Sequence, residues 1–186
     1  DRGPAGAVGE FELRAMNPST APGLLNNHPM DTVMSNGRRF TISRAVEADV
    51  AELAGLLADD VLGATRESAA IAPYLEAFGD IDADPNQLLL AVRDESHDLV
   101  ATMQLTIIPC LARGGAKRLQ IEAVRIAGSA RGAGLGTELF AWAHEYGRTR
   151  GARLVQLTTD KARTDAQRFY DRLGYEASHE GYKRPL

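Results

Sequence analysis

The stretch "RIAGSARGAGLGTEL", residues 125–139, decides how this chain is read. It holds four glycines within nine residues, with Arg131 among them. A strand-like run ends where it begins, and an amphipathic pattern comes directly after. A strand, a glycine-rich turn and a helix start form an anion-binding device, because helix N-termini present unpaired N–H groups and a partial positive charge. Glycine lets the backbone approach an anion with no side chain in between. Arg131, Gly132, Ala133, Gly134, Leu135, Gly136 and Thr137 would supply those amides, and Arg131 a permanent charge as well. The alternative is a plain loop, which a glycine cluster alone equally describes. Two phosphate-binding patterns fail: Thr137 replaces the third glycine of G-x-G-x-x-G, and there is no Gly-Lys-Ser/Thr after the turn.

The strand upstream, "LQIEAVRI" at 119–126, carries an irregularity. Leu119, Ile121 and Ala123 keep one phase, whereas Val124 and Ile126 carry the apolar residues afterwards. An inserted residue, a β-bulge, shifts alternation in this way. A strand buried on both faces would read alike. Downstream, Leu135, Leu139, Trp142, Ala143 and Tyr146 form a helical stripe, and "RLVQLTT" a strand. Thr164 with Gln167 resembles a capping box for a helix bearing Ala166, Phe169, Tyr170 and Leu173, which Gly174 would end. The closing "YEASHEGYKRPL" offers strand material around Gly181.

Toward the N-terminus, "RRFTISRA" reads as a strand. Val46, Val50, Leu53, Ala54 and Leu57 then share one helical face. A further helix is expected over 65–79, broken or kinked by Pro73. "LLLAV" and "LVATMQLTII" are strands, and "ARGGAK" turns the second into a hairpin with the strand before the glycines. The pattern is one α/β domain, antiparallel hairpins first and strand–helix units later, assigned to residues 34–186. Residues 1–33 lack periodicity; "EFEL" resembles translated restriction sites, so the segment reads as an expression-vector scar or a flexible arm, with the natural start near Met30 or Met34.

Composition is ordinary for a globular chain: 186 residues, 44% apolar and 25% charged. The net charge of −4, without a clustered basic face, argues against nucleic acid as partner. No apolar run approaches the ~20 residues of a membrane span. Cys110 stands alone, which suits packing and a reducing, cytoplasmic compartment. Four scattered histidines give no metal-ligand spacing, so no metal is expected.

The glycine stretch becomes specific when paired with a second motif downstream. "RGAGLG" resembles the R/Q-x-x-G-x-G/A signature of the GNAT superfamily of N-acetyltransferases, through Arg131, Gly134 and Gly136. "DAQRFYDRLGY" resembles that family's A-x-x-F/L-Y-x-x-x-G-F/Y segment, through Ala166, Phe169, Tyr170, Gly174 and Tyr175. The resemblance implies a mixed α/β (α+β) fold: a mostly antiparallel central sheet with a bulged strand, flanked by about four helices. It implies acetyl-CoA as co-substrate, its pyrophosphate on the signature amides and its pantetheine arm along the bulged strand. That favours the inserted residue. Where many members carry Asn, seven residues before the tyrosine, this chain has Arg163, and no role is carried over.

In such an enzyme a primary amine loses its proton and attacks the thioester directly, with no covalent enzyme intermediate. The resemblance assigns oxyanion stabilisation to backbone N–H groups around Val124, Arg125 and Ile126, and proton donation to the leaving thiolate to Tyr170. Glu122, on the strand leading to the bulge, is the candidate general base, direct or through water. Each has a plainer alternative: Glu122 as a solvated carboxylate, Tyr170 as a core aromatic. His179, Ser178 and Tyr182, and Thr158 and Thr159, are weaker candidates.

Charge is uneven along the chain: residues 44–98 hold 13 Asp/Glu against 3 Lys/Arg, and residues 131–186 hold 7 against 10. The basic part suits the polyanionic co-substrate; the acidic part would draw a cationic small-molecule amine, unless it is only a solvated surface. Arg113, Lys117 and Arg118 around the hairpin would instead suit an anionic acceptor such as an amino acid or an aminophosphonate. The rival from another class is a non-catalytic acyl-CoA-binding regulatory domain. A homodimer is expected from the family resemblance alone.

Overall fold

The computed structural model describes residues 29–59 and 70–186. Among these, six strands form one sheet in the order β1-β2-β3-β4-β5-β6. They are β1 (Pro29–Ser35), β2 (Arg38–Arg44), β3 (Gln87–Arg93), β4 (Leu99–Ile108), β5 (Lys117–Ile126) and β6 (Ala152–Leu157). The helices are α1 (Val50–Ala58), α2 (Ala72–Ala83), the single turn α3 (Ala112–Gly115), α4 (Leu135–Thr149) and α5 (Thr164–Arg172). Neighbours from β1 to β5 run antiparallel, whereas β5 and β6 are parallel and linked through α4. This is the expected mixed, mostly antiparallel α/β architecture.

Period-two alternation explains both cores. Leu88, Leu90, Met103, Leu105, Leu119 and Ile121 send their side chains to one face, where Leu135, Leu139, Phe140 and Ala143 of α4 cover them. Leu89 and Ala91 face the other way, toward Val50 and Leu53 of α1 and Phe78 of α2. Two helical readings shift in detail. On α1, Leu56 is buried and Leu57 only partly so; on α4, Phe140 joins the buried stripe and Trp142 sits at its margin.

The irregular strand is bulged. Register runs Gln104↔Glu122 and then Thr102↔Arg125, so Met103 lies opposite both Ala123 and Val124. Ala123 takes φ 51°, a left-handed conformation that costs roughly 1–2 kcal/mol away from glycine. The β5–β6 ladder ends at Ile121↔Leu157. Beyond it, from the bulge onward, β5 pairs with no strand on that edge among the described residues.

Three expectations change. Pro73 occupies the first turn of α2 and starts the helix, because its missing N–H falls where no partner is needed; residues 65–69 of that expected helix lie outside the described residues. Arg163, not Thr164, caps α5: Gln167 N donates to the Arg163 carbonyl at 3.1 Å, and Gln167 Nε2 to Lys161 O at 3.0 Å. Residues 175–186 join no strand. Gly181 and Pro185 interrupt any alternating apolar face there, and Tyr182 stays 92% exposed.

The vector-scar or flexible-arm expectation falls, for residues 1–28, outside the described residues. Residues 29–33 belong to β1, which pairs with β2. Among the described residues, no helix is long and apolar enough to cross a membrane.

Candidate active site

The turn before α4 is shaped by glycines at positive φ, Gly132 at 76° and Gly134 at 81°. It is pinned from three sides. Ser35 Oγ at the end of β1 donates to the Ala133 carbonyl; Arg38 reaches the Ser129 carbonyl at 3.2 Å; and Arg131 Nε donates to Ile126 O, the last carbonyl of β5, at 2.9 Å. Arg131 therefore ties the turn to the strand besides lending charge. The amides of Arg131 and Thr137 donate to Gly128 O at 3.3 Å and Gly134 O at 2.9 Å. Those of Gly132, Ala133, Gly134, Leu135 and Gly136 meet no acceptor among the described residues. The start of α4 thus holds a run of N–H groups on a concave turn, where an anion is favoured.

Gly136 has another use. A Cβ there would stand 3.3 Å from Phe169 Cζ and 3.4 Å from Ile126 Cδ1. Its small size lets α4, the end of β5 and α5 meet at one junction. That junction brings the glycine turn, the bulged strand and the tyrosine helix together, although 45 residues separate Arg125 from Tyr170 in sequence.

Tyr170 sits in an aromatic cluster with Phe140, Phe169 and Tyr175, ring centroids 5.6–5.9 Å away. Burial raises its phenol above the ordinary range, and the guanidinium groups of Arg163 and Arg125 oppose that rise. The phenol therefore holds its proton at neutral pH while two cations stand near it. The exit from α5 fixes the neighbour. Gly174, at φ 82°, lets Gly174 N donate to Asp171 O and Tyr175 N to Tyr170 O, both at 3.0 Å, closing a Schellman turn. Tyr175 is thereby laid against Tyr170, and its hydroxyl meets His144 Nε2 of α4 at 2.7 Å. Burial and then the neighbouring Tyr170 push Tyr175 far above the usual phenol range; burial and then Arg148 lower His144.

Glu122 is exposed on the face of β5 opposite the α4 core, paired in register with Gln104 and next to the bulge residue Ala123. Arg125 donates to the Val124 carbonyl at 2.8 Å. The weaker candidates scatter: Ser178 and His179 bond each other at 2.8 Å on the exposed tail, and Cys110 lies just past β4. Arg113 lies in the α3 turn at φ 54° and Lys117 reaches the Arg150 carbonyl at 3.4 Å. Arg118 is five residues before Ala123, or about 16 Å along the strand. Ser35, His144 and Tyr175 join the site without having been expected there. Only Tyr175 leaves a signal in sequence, as the last residue of the second motif.

The chain is similar to known proteins. A family model described as the acetyltransferase (GNAT) family matches residues 56–175. An aminoalkylphosphonate N-acetyltransferase of Salmonella typhimurium is 46% identical over 56 residues, 30% of this chain and 36% of that protein. The alignment thus takes in little more than a third of that relative. A crystal structure of a transcriptional regulator from Bacillus halodurans C-125 matches with a TM-score of 0.75 and 43% identity, over 79% of this chain and 99% of that one. An acetyltransferase of Trypanosoma brucei, at TM-score 0.66 and 24% identity over 79% and 99% of the two chains, shares the fold.

Proposed function

The chain belongs to the acetyltransferase (GNAT) family, and on that premise we propose that it transfers the acetyl group of acetyl-CoA to the primary amine of a small molecule. The observation that carries this reading is the meeting, at the Gly136 junction, of five unengaged amides, the end of the bulged strand and the helix that bears Tyr170.

The residues fit the co-substrate. Gly132 through Gly136 offer amides without side chains in the way, and the basic composition of residues 131–186 favours a polyanion. Acetyl-CoA would supply an activated thioester; the rest falls to the chain. Glu122 takes the ammonium proton, directly or through water. Backbone N–H groups from Val124 to Ile126, on the edge left open where β6 departs, stabilise the developing oxyanion. Tyr170, protonated at neutral pH, delivers its proton to the departing thiolate. The aminoalkylphosphonate N-acetyltransferase among the relatives supports amine acylation, and a lone cysteine suits a reducing cytoplasm.

A second reading has one observation behind it: the relative described as a transcriptional regulator, at 43% identity, favours an acyl-CoA-responsive regulatory domain. One experiment separates the two. Purified protein is mixed with acetyl-CoA and a panel of primary amines, and thiol release is monitored. Amine-dependent release is the expected result. Tight acetyl-CoA binding with no amine-dependent release would overturn the transferase reading in favour of the regulator.

A further inference from the structure

Beside the bulge, a cleft of about 170 Å³ opens between α1, α2 and the sheet. Leu53 and Leu57 of α1 and Tyr74, Phe78 and Ile81 of α2 form its walls, and Ala123, the bulge residue itself, lies in its floor. Three of the lining side chains carry a polar group, Tyr74, Thr102 and Gln104; Thr102 Oγ1 donates to Leu90 O at 2.7 Å, and Gln104 Nε2 to Gln87 Oε1 at 3.2 Å. No charged side chain among the described residues lines it.

Glu122 adjoins Ala123, and residues 44–98, which supply both helices, hold 13 Asp/Glu against 3 Lys/Arg. Of the nearby arginines, Arg93 is committed to Asp49 at 2.8 Å and Glu52 at 3.1 Å, Arg44 to Asp82 at 3.5 Å, and Arg125, two residues past Ala123, donates to the Val124 carbonyl at 2.8 Å. Arg118 stands about 16 Å along β5 from the bulge, beyond the reach of a short aminophosphonate whose amine is at the bulge. An anionic body in the cleft would lose its hydration with no charged side chain among the described lining residues to replace it. An apolar body would gain from every carbon it buries.

We infer that the acceptor is a cationic primary amine on an apolar body, the body seated in this cleft and the ammonium beside Glu122; this rests on the acetyl-transfer reading. A cavity of ~150 Å³ takes a benzene ring, so the body has the bulk of a phenyl group or a chain of about six carbons. In the step itself the N–C bond forms as the C–S bond breaks. The products are the amide, the free thiol and one proton released to solvent.

Thiol release is measured with acetyl-CoA and propylamine, butylamine, pentylamine, hexylamine, phenethylamine, spermidine and 2-aminoethylphosphonate. The expected result is a rise in kcat/KM of about fourfold per methylene from propylamine to hexylamine. Phenethylamine should match hexylamine, and spermidine and the phosphonate should fall at least tenfold behind. A flat alkyl series, or a preference for the phosphonate or spermidine, overturns the apolar acceptor while leaving acetyl transfer intact. Failure of every amine overturns both readings. Ala77, exposed on α2 at the cleft, provides the second arm. Ala77→Phe should raise the KM for hexylamine about tenfold and leave the KM for acetyl-CoA unchanged; an unchanged KM for hexylamine counts against the assignment.

Discussion

Ser35, the last residue of β1, donates its hydroxyl to the carbonyl of Ala133, 98 residues later, and so fastens the sheet edge to the turn that opens α4. The next residue, Gly134, is held at φ 81°, and a Cβ there would come within 3.1 Å of that same hydroxyl oxygen. Gly134→Ala should therefore cost about 1–2 kcal/mol of stability and weaken acetyl-CoA binding. Chemical denaturation and calorimetric titration measure both; an alanine variant with unaltered affinity would separate this turn from the pyrophosphate.

Tyr170 keeps its proton through burial, which suits a donor. Tyr170→Phe should preserve the ring contacts with Phe140 and Tyr175 while lowering kcat roughly 10²-fold or more. The KM for acetyl-CoA should barely move. Equal turnover by the two proteins would leave the phenol a packing role only.

Glu122 is exposed and carries no core contact, so Glu122→Gln should not disturb folding. Its expected effect is a tenfold or greater loss of kcat at neutral pH with acetyl-CoA binding intact. Rate measurements beside a melting curve make the comparison; full activity would show that another group or bulk water takes the amine proton.

His144 favours its neutral form in the fold, because burial and Arg148 lower its pKa from 6.5. The unfolded chain then binds the proton more readily. This contribution to stability is complete above pH about 6.5 and is lost as pH falls from there through the folded value. The melting temperature should drop between pH 7 and pH 5, and His144→Gln should reduce the drop. Identical pH dependence in both proteins would clear His144 of the effect.

Asp49 is buried, its side chain 4% exposed, and held by Arg93 at 2.8 Å. It also accepts the Val46 amide at 2.9 Å. Arg93→Met would strand that carboxylate and should destabilise the fold by about 3 kcal/mol. A loss below ~1 kcal/mol, measured by denaturant unfolding, would mean that water reaches Asp49 readily.

Much of the site is legible in the amino-acid order. The succession of strand, glycines and helix is local, and so is the double apolar step at Ala123–Val124. Each obeys backbone rules that act over a few residues. The C-terminal strand expectation fails for the opposite reason: a strand exists only if a neighbour pairs with it, and residues 175–186 meet none. Pro73 misleads because a proline that breaks a helix interior is harmless in the first turn, and only the true start, near Ala72, decides which applies.

The amino-acid order by itself determined the glycine turn and the Schellman exit at Gly174, since these depend on side-chain size and allowed φ at single positions, whereas it left β5 open between a bulge and a doubly buried strand until its register with β4 showed the inserted residue. Tertiary packing alone decided that Ser35 pins the turn, that Gly136 lets Phe169 and Ile126 approach, and that Tyr175 meets His144. The two hydrogen-bonded pairs among these lie 31 and 98 residues apart, and contacts at such separation depend on how the sheet and its helices pack, not on local backbone preference.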